Sequence, residues 1–289
     1  MRRRLSAAAE VRNIAQEIVM RTLDRPLPVI GVVHLPPLPG SSRNPGSTAR
    51  ALDQARADAI IYRRTGVDAL LVENHGDAPF DKDECGPHVA AVMAVIARVL
   101  VEECRCPVGV NILRNDVRSA LGAAVAADAS FVRANVLFGV SATDQGLIEG
   151  RAAEVLRYRR SLGTAAEIWA DVDVKFASPL YAPELAVLMK SAARRSGADR
   201  LLVTGTATGV PPSAETVRAV KAAAGRTPVL IASGLTAASV RELLPLCDGA
   251  VVGSAFKEDG DVERPVDPGR VTDFIHAVRA ARHAAGVAV

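Results

Sequence analysis

RLLVTGTATG at residues 200–209, PVLIASGL at 228–235 and GAVVGS at 249–254 are three short apolar runs, each ending in a glycine-bearing turn. The runs are rich in β-branched residues and are separated by helical stretches, which is typical of buried parallel strands. A (β/α)8 barrel often holds phosphate on the loops after its last strands, where glycine lets the backbone approach an oxyanion. The pattern therefore predicts the end of such a barrel and a phosphate-binding mouth.

The chain upstream of these three runs can be divided in the same way. Five more apolar segments occur, PVIGVVH at 28–34, DALLVEN at 68–74, PVGVNIL at 107–113, FVRANVLF at 131–138 and EIWADVDV at 167–174. The intervening segments have helical periodicity, as in the apolar face formed by Val89, Val92, Met93, Ile96 and Leu100. Eight alternations predict an α/β fold with a single (β/α)8 barrel over residues 28–289. The competing fold is an open doubly wound sheet, but no G-x-G-x-x-G follows the first strand.

Residues 1–27 precede the barrel and predict an extra N-terminal helix. Three arginines at positions 2–4 come before an apolar stripe, which consists of Val11, Ile14, Ile18 and Val19. The stripe is short and has no aromatic residue, so a helix packed on the N-terminal end of the barrel or at a subunit contact is favoured over a membrane-surface helix. The sequence thus allows a homo-oligomer.

Composition limits the class of protein. The chain has 289 residues, of which 49% are hydrophobic, a net charge of +3 and four cysteines without paired spacing. This predicts a large core, reduced thiols and a cytoplasmic location. The charge is too small to indicate a nucleic-acid partner but suits a small acidic ligand. No apolar stretch approaches the roughly 20 residues that a membrane span needs.

Polar residues gather where the predicted strands end, which is where this fold carries its chemistry. As catalytic residues we predict His34, Glu73, Asp171, Asp173 and Lys175. As substrate-binding residues we predict Asn74, Asn111, Arg133, Asn135 and Thr204. A neutral His34 suits proton transfer, and Arg133 suits either an oxyanion or a neighbouring carboxylate. Because buried polar atoms are costly when unpaired, this concentration indicates a functional site.

The fifth strand has the most distinctive pattern. Alternation places Asp171, Asp173 and Lys175 on one face, so the two carboxylates can bind Mg²⁺ or act as general acid and base. Mg²⁺ is the cofactor that this pattern allows, and no other is indicated. The lysine can pair with the carboxylates, hold a phosphate or form a Schiff base. An internal salt-bridge network without chemistry is the alternative.

The predicted phosphate site combines backbone and hydroxyl donors. The backbone N–H groups are those of Gly205, Gly234 and Gly253, and the hydroxyls are those of Thr206, Ser233 and Ser254. Three long loops, 35–47, 75–87 and 139–150, follow strands and are expected to form lids over the ligand.

Several longer motifs resemble the BtpA family, also called the BtpA/SgcQ family. They include GVVHLPPLPGS, VENHGDAPF, PVGVNILRNDVRSAL, VDVKFASPL and LIASGLT, and the resemblance runs from about Pro28 to Ala280. It implies a TIM barrel similar to the ribulose-phosphate-binding barrels, a link to sugar-utilisation operons and a link to photosystem I biogenesis. Family members usually have histidine where this chain has Phe176, which implies an altered activity or a binding role here.

Together these observations predict an enzyme that acts on a small phosphorylated metabolite, a sugar phosphate or nucleoside phosphate. An isomerase, epimerase or lyase needs a carboxylate base and a group that stabilises an enediolate, and both are present. Cleavage or transfer at an anomeric carbon would use the same carboxylates. The alternatives are a non-catalytic assembly factor of the photosystem I or membrane-complex type and a Mg²⁺-dependent phosphatase or nucleoside triphosphatase.

Overall fold

The protein, studied as a computed structural model, is described over residues 22–43, 47–172, 174–180, 187, 192–205, 209–284 and 286. The strands in chain order are β1 (Val29–His34), β2 (Ala69–Glu73), β3 (Val108–Asn111), β4 (Phe131–Ala134), β5 (Val140–Thr143), β6 (Gly146–Glu149), β7 (Glu167–Asp171), β8 (Ala177–Pro179), β9 (Arg200–Val203), β10 (Val229–Ile231) and β11 (Gly249–Val252). All except β5, β6 and β8 form a closed barrel of eight strands, in the order β1-β11-β10-β9-β7-β4-β3-β2. Neighbouring barrel strands are parallel. The predicted barrel is confirmed.

Helices alternate with the barrel strands. In chain order they are α1 (Thr48–Thr65), α2 (Pro87–Cys104), α3 (Val117–Ala127), α4 (Ala152–Ser161), α5 (Ala214–Ala224), α6 (Val240–Leu243) and α7 (Pro268–Ala284). Helix α1 begins at Ser47, whose hydroxyl accepts from the Arg50 N–H, and ends at Gly66 with φ of 96°. None of the helices in the described residues is long and apolar enough to cross a membrane.

The lumen of the barrel is filled by apolar side chains from alternate strand positions. Phe131 of β4 stacks on Trp169 of β7 with ring centroids 3.8 Å apart. Leu23 belongs to the same buried cluster, and its carbonyl accepts from Arg200 Nη1 at 3.2 Å. The segment just before β1 therefore closes the N-terminal end of the barrel, whereas residues 1–21 of the predicted N-terminal helix lie outside the described residues.

The loop predicted over 139–150 is instead a β-hairpin. Strands β5 and β6 pair antiparallel, and β8 adds to the other edge of β5. Since β5 and β6 follow β4 and β8 follows β7, this small sheet joins the connections after two neighbouring barrel strands. The prediction of a loop was wrong because β5 and β6 pair locally as a hairpin across residues 144–145, and β8, which is distant in sequence, extends this sheet.

A buried ion pair fixes the turn after β11. Lys257 Nζ lies 2.9 Å from Asp58 Oδ2 on α1, and the lysine side chain has 0% exposure. Nearby on the same helix, the Tyr62 hydroxyl donates to the Val32 carbonyl at 2.9 Å. These contacts hold α1 against both β1 and the segment that follows β11.

Candidate active site

A buried polar layer lies directly above the apolar lumen. Side chains alternate along a strand, so Val32 in the lumen is followed by His34 at the mouth, and Trp169 by Asp171. The structure brings together seven of the predicted residues, each no more than 9% exposed: His34, Glu73, Asn111, Arg133, Asn135, Asp171 and Thr204. Strand alternation thus accounts for the composition of this layer.

Asp171 holds Arg133 in place. Arg133 donates from Nε to Asp171 Oδ2 at 3.1 Å and from Nη2 to Oδ1 at 3.0 Å. Asn135 Nδ2 donates to Asp171 Oδ2 at 2.7 Å, and the Asp171 side chain is 0% exposed. Burial alone would lower the pKa of Arg133, but Asp171 and Glu73 more than offset this effect and keep the guanidinium charged. Both oxygens of Asp171 are therefore already engaged as acceptors.

The predicted Mg²⁺ site lies only partly within the described residues. Asp173, the second predicted ligand, lies outside the described residues. Across the residues that are described, no group of three or more histidine, cysteine, aspartate or glutamate side chains is arranged to hold a metal ion. The two carboxylate oxygens of Asp171 accept hydrogen bonds from Arg133 and Asn135, an arrangement typical of a carboxylate in a structural ion pair.

Glu73 presents one oxygen to the pocket. Its Oε2 accepts from Asn111 Nδ2 at 2.7 Å and lies 3.8 Å from Arg133 Nη1. Its Oε1 lies 4.0 Å from His34 Nε2, beyond hydrogen-bond distance. Burial by itself would raise the pKa of Glu73, but its surroundings hold it below its ordinary value. Because His34 is neutral, we ascribe the lowered pKa to Arg133 and Asn111, and Glu73 is ionised at neutral pH.

His34 is a neutral imidazole at physiological pH. Burial lowers its pKa from 6.5 to about 3, although Glu73 acts in the opposite direction. Its Nδ1 is buried without a hydrogen-bond partner among the described residues. The His75 ring packs edge-on against it with centroids 5.0 Å apart. A Cβ at Gly253 would lie 2.7 Å from His34 Cε1, so the backbone after β11 packs directly on this ring.

Lys175 reaches the pocket from the turn that follows β7. The strand ends at Asp171, so alternation along a strand does not place this lysine, contrary to the reasoning from sequence. Lys175 lines the pocket, and burial together with Arg133 lowers its pKa from 10.5 to about 8. The next residue, Phe176, has φ of 56° and is 66% exposed at the pocket rim.

Sequence reasoning missed Arg114. This residue follows β3, is 7% exposed and lines the pocket beside Lys175, whose backbone carbonyl accepts from Arg114 Nη2. His75 also lines the pocket without having been assigned a role. Arg114 lies three positions beyond the last residue of β3, where no alternation rule applies, so its position in the loop after a barrel strand was the available signal.

The turns after β10 and β11 form one wall of the pocket. Ser233, Gly234, Gly253 and Ser254 line it. Within the described part of the chain, no backbone carbonyl accepts from the N–H groups of these four residues. Four backbone donors on one wall of a pocket can bind an oxyanion such as phosphate.

Gly205, the third glycine predicted to bind phosphate, lies in a different environment. The Gly205 N–H donates to Ser233 Oγ at 2.7 Å, and a Cβ there would lie 1.9 Å from the Val210 carbonyl oxygen. Gly234 has φ of 71°, and its Cβ would lie 2.1 Å from Pro211 N. Glycine is therefore required at both positions by the close packing of residues 210–211. Thr206 lies outside the described residues.

Some predicted residues support the pocket from outside it. The described lining does not include Asn74, Asn111, Asp171, Thr204 or Gly205. Asn74 accepts from the Leu113 N–H at 2.8 Å and donates to Asp77 Oδ2 at 3.0 Å. Asp77 Oδ1 in turn accepts from the Leu38 N–H at 2.7 Å. This chain of hydrogen bonds ties together the loops that follow β1, β2 and β3.

The fold and this site define a (β/α)8 barrel with a charged mouth and a wall of backbone N–H groups. The BtpA family profile matches residues 25–280. The chain is 44% identical over 251 residues to the Photosystem I biogenesis protein BtpA of Synechocystis sp., an alignment that covers 87% of this chain and 88% of that protein. The chain therefore belongs to the BtpA family, which confirms the resemblance seen in the sequence.

Solved structures with the same fold are much more distant in sequence. N-(5'-phosphoribosyl)anthranilate isomerase from Pyrococcus furiosus matches with a TM-score of 0.55 at 16% identity, covering 88% of this chain and 99% of that chain. Orotidine 5'-phosphate decarboxylase from Pyrococcus horikoshii OT3 matches with a TM-score of 0.54 at 13% identity, covering 87% and 99%. At this identity the likeness establishes the shared barrel fold.

Proposed function

We propose that this protein is an enzyme that transfers a proton within a small phosphorylated metabolite, a sugar phosphate or nucleoside phosphate, as an isomerase, epimerase or lyase does. The observation that carries the proposal is the position of Glu73. Its Oε1, which lies 4.0 Å from His34 Nε2, belongs to a pocket whose lining also includes four residues with N–H groups that no backbone carbonyl of the described residues accepts. A base and an oxyanion-binding wall across one pocket are the two elements that such chemistry needs.

Glu73 is the group we assign as general base. It is ionised at neutral pH, and Asn111 fixes one of its oxygens so that the other points to the pocket. Lys175 and Asn135 line the same pocket and can stabilise the negative oxygen that develops on a carbonyl substrate. His34, as a neutral imidazole beside Glu73, can relay a proton to the second oxygen of an enediolate.

Asp171 takes a positioning role in this proposal. It holds Arg133, which lies 3.8 Å from Glu73 and keeps the pKa of that carboxyl low. Glycosyl transfer or hydrolysis commonly uses two free carboxylates. Glu73 is the only carboxylate among the described lining residues, and this favours proton transfer over reaction at an anomeric carbon.

The phosphate group is assigned to the turns after β10 and β11. The support comes from the backbone donors of Ser233, Gly234, Gly253 and Ser254. It also comes from the fold, because (β/α)8 enzymes often bind phosphate at the loops after their last two strands. The two solved barrels described above are both named for phosphorylated compounds.

A thermal-shift screen against sugar phosphates and nucleoside monophosphates tests the proposal. A ligand at a hundred times its Kd stabilises the folded state by about 2.7 kcal/mol, or roughly 5–10 °C for a domain of this size. Ser254→Asp places a negative charge at the phosphate wall and should abolish the shift. Ser213→Asp is the matched control, since Ser213 is an exposed N-cap of α5 and aspartate serves there equally well. Gly234→Asp is a poorer choice because its Cβ would strike Pro211.

Two results would support or contradict the proposed enzymatic function. Glu73→Gln should keep the ligand-induced shift and lose turnover of the compound that the screen identifies. An absence of any shift across the panel, with the protein folded, would contradict the proposal.

The second candidate is a non-catalytic assembly factor. The name of the 44% identical relative from Synechocystis sp. favours it, as do the exposed apolar side chains near the mouth, Leu147, Phe176 and Leu180, which are 47%, 66% and 61% exposed. Wild-type activity of a Glu73→Gln variant in a biogenesis assay would favour this candidate over the enzyme.

A further inference from the structure

The buried arginine after β3 has no counter-ion among the described residues. The Arg114 side chain donates from Nη2 to the Lys175 carbonyl, and its Nε is buried without a partner. None of the carboxylates in the described residues forms an ion pair with it, although Asp171, Asp144 and Glu73 favour its charged form from a distance. A guanidinium in a low-dielectric site is costly unless an anion binds it.

The charges around the pocket do not balance. Arg133 pairs with Asp171 and Glu73, the two carboxylates of the buried layer within the described residues, and these three side chains together carry one negative charge. Arg114 and Lys175 are the remaining cations of the pocket lining, and burial lowers the pKa of each. The described residues thus leave positive charge at this wall that a ligand can neutralise.

The barrel order separates the strand that carries Arg114 from the proposed phosphate wall. Strand β3, which precedes Arg114, and strand β10, which precedes Ser233 and Gly234, are four steps apart in the closed ring of eight. The two strands lie on opposite sides of the mouth, and the Arg114 guanidinium reaches from β3 to the turn after β7, which is two steps from β10 and three from β11. A ligand whose phosphate binds after β10 and β11 extends its other end toward Arg114.

We propose that Arg114 binds a carboxylate at the end of the substrate opposite to its phosphate, so that the substrate is a phosphorylated sugar acid or a similar carboxylate-bearing phosphorylated metabolite. This inference rests on the proposed function for its phosphate site. A guanidinium offers the paired donors that match a carboxylate. A purely structural role does not explain a cation here, because holding the Lys175 carbonyl requires only a neutral donor.

Two acyclic phosphates provide a matched test. 6-Phospho-D-gluconate and D-glucitol 6-phosphate differ only at C1, which is a carboxylate in the first and a hydroxymethyl group in the second. We expect calorimetry on the full chain to give a Kd for the phosphogluconate that is lower by about tenfold or more, as for a hydrogen-bonded charged pair. In Arg114→Gln, which keeps a donor for the Lys175 carbonyl, the ratio should fall below about twofold. Arg118→Gln is the control, since Arg118 is a half-exposed arginine on α3, and it should leave the ratio unchanged.

Each alternative result of these binding measurements overturns one specific part of the proposal. Equal binding of the two compounds to the wild type overturns the carboxylate assignment and leaves the phosphate site standing. Binding of neither compound overturns both. An unchanged ratio in Arg114→Gln overturns the role of Arg114. If that variant does not fold, Arg114→Lys takes its place: loss of the paired donors should reduce the ratio several-fold, and an unchanged ratio again overturns the assignment.

Discussion

Replacing Asp171 with asparagine tests the buried ion pair on which the mouth of the barrel depends. Asparagine keeps the shape of the side chain but removes the charge that Arg133 binds through two hydrogen bonds. Its amide NH₂ also turns a donor toward either Arg133 or Asn135, both of which already donate to this position. Arg133 would be left with Glu73, which lies 3.8 Å away.

The expected loss of stability is large because the ion pair is buried. Asp171 is 0% and Arg133 10% exposed at the side chain, and removing one partner of a buried pair typically costs about 3–5 kcal/mol. For a domain of this size, this corresponds to a decrease in Tm of roughly 6–20 °C. Glu154→Gln is the matched control, since Glu154 pairs with Arg118 at 3.3 Å with side chains 38% and 53% exposed. An exposed pair contributes about 1 kcal/mol or less.

Urea unfolding followed by tryptophan fluorescence measures both variants. The chain has one tryptophan, and Trp169 lies in the lumen two residues from Asp171, stacked on Phe131. Its emission should shift when the barrel opens. The reasoning would be refuted if the free energy of unfolding of Asp171→Asn lay within about 1 kcal/mol of the wild-type value at an unchanged m-value. Breaking a buried ion pair should destabilise the fold by more than this amount.

Three further changes should alter stability in distinct ways. Because the pKa of Lys175 falls from 10.5 to about 8 on folding, Lys175→Met should stabilise the fold at pH 7 by up to about 3 kcal/mol. This gain in stability should disappear as the pH rises from 8 to 10.5. Thermal unfolding measures it, and a gain that persists at pH 10.5 would contradict the prediction. Asp58→Asn leaves the fully buried Lys257 unpaired and should lower the free energy of unfolding in urea by about 3–5 kcal/mol. The double variant with Lys257→Met should recover much of this stability. A loss under about 1 kcal/mol for Asp58→Asn would argue against a stabilising ion pair. Folded His34 has a pKa of about 3, whereas the same side chain in the unfolded chain binds a proton below pH 6.5, so wild-type stability should fall as the pH drops through that range. His34→Gln should weaken this pH dependence of stability. An identical pH profile in the variant would disprove the lowered pKa of His34.

The barrel and its polar layer were predictable because both arise from local periodicity. Alternation along β1 places Val32 in the lumen and His34 at the mouth, and the same rule places Trp169 and Asp171. The rule depends only on neighbouring residues in one strand, so no knowledge of the partner strands is needed. It failed for Lys175, because β7 ends at Asp171 and the lysine belongs to a turn.

The division of roles among the polar residues was not predictable in this way. From the sequence, Asp171 on the fifth strand was the most distinctive catalytic candidate and Glu73 the second. In the structure Arg133 and Asn135 occupy both oxygens of Asp171, while Asn111 binds only Oε2 of Glu73. Which carboxylate is paired depends on the contact between β4 and β7, and thus on the register of two strands.

The sequence by itself determined the eight strand-and-helix units, the family and the residue types at the mouth, because each of these is encoded by spacing within short segments. The tertiary structure alone decided that the Gly205 N–H donates to Ser233 Oγ in the turn after β10, and that Gly205 is not part of the described pocket lining. It also decided that the post-β3 Arg114 reaches the Lys175 carbonyl after β7. These contacts join residues far apart in the chain, and they exist only once barrel closure has fixed which strand ends face each other.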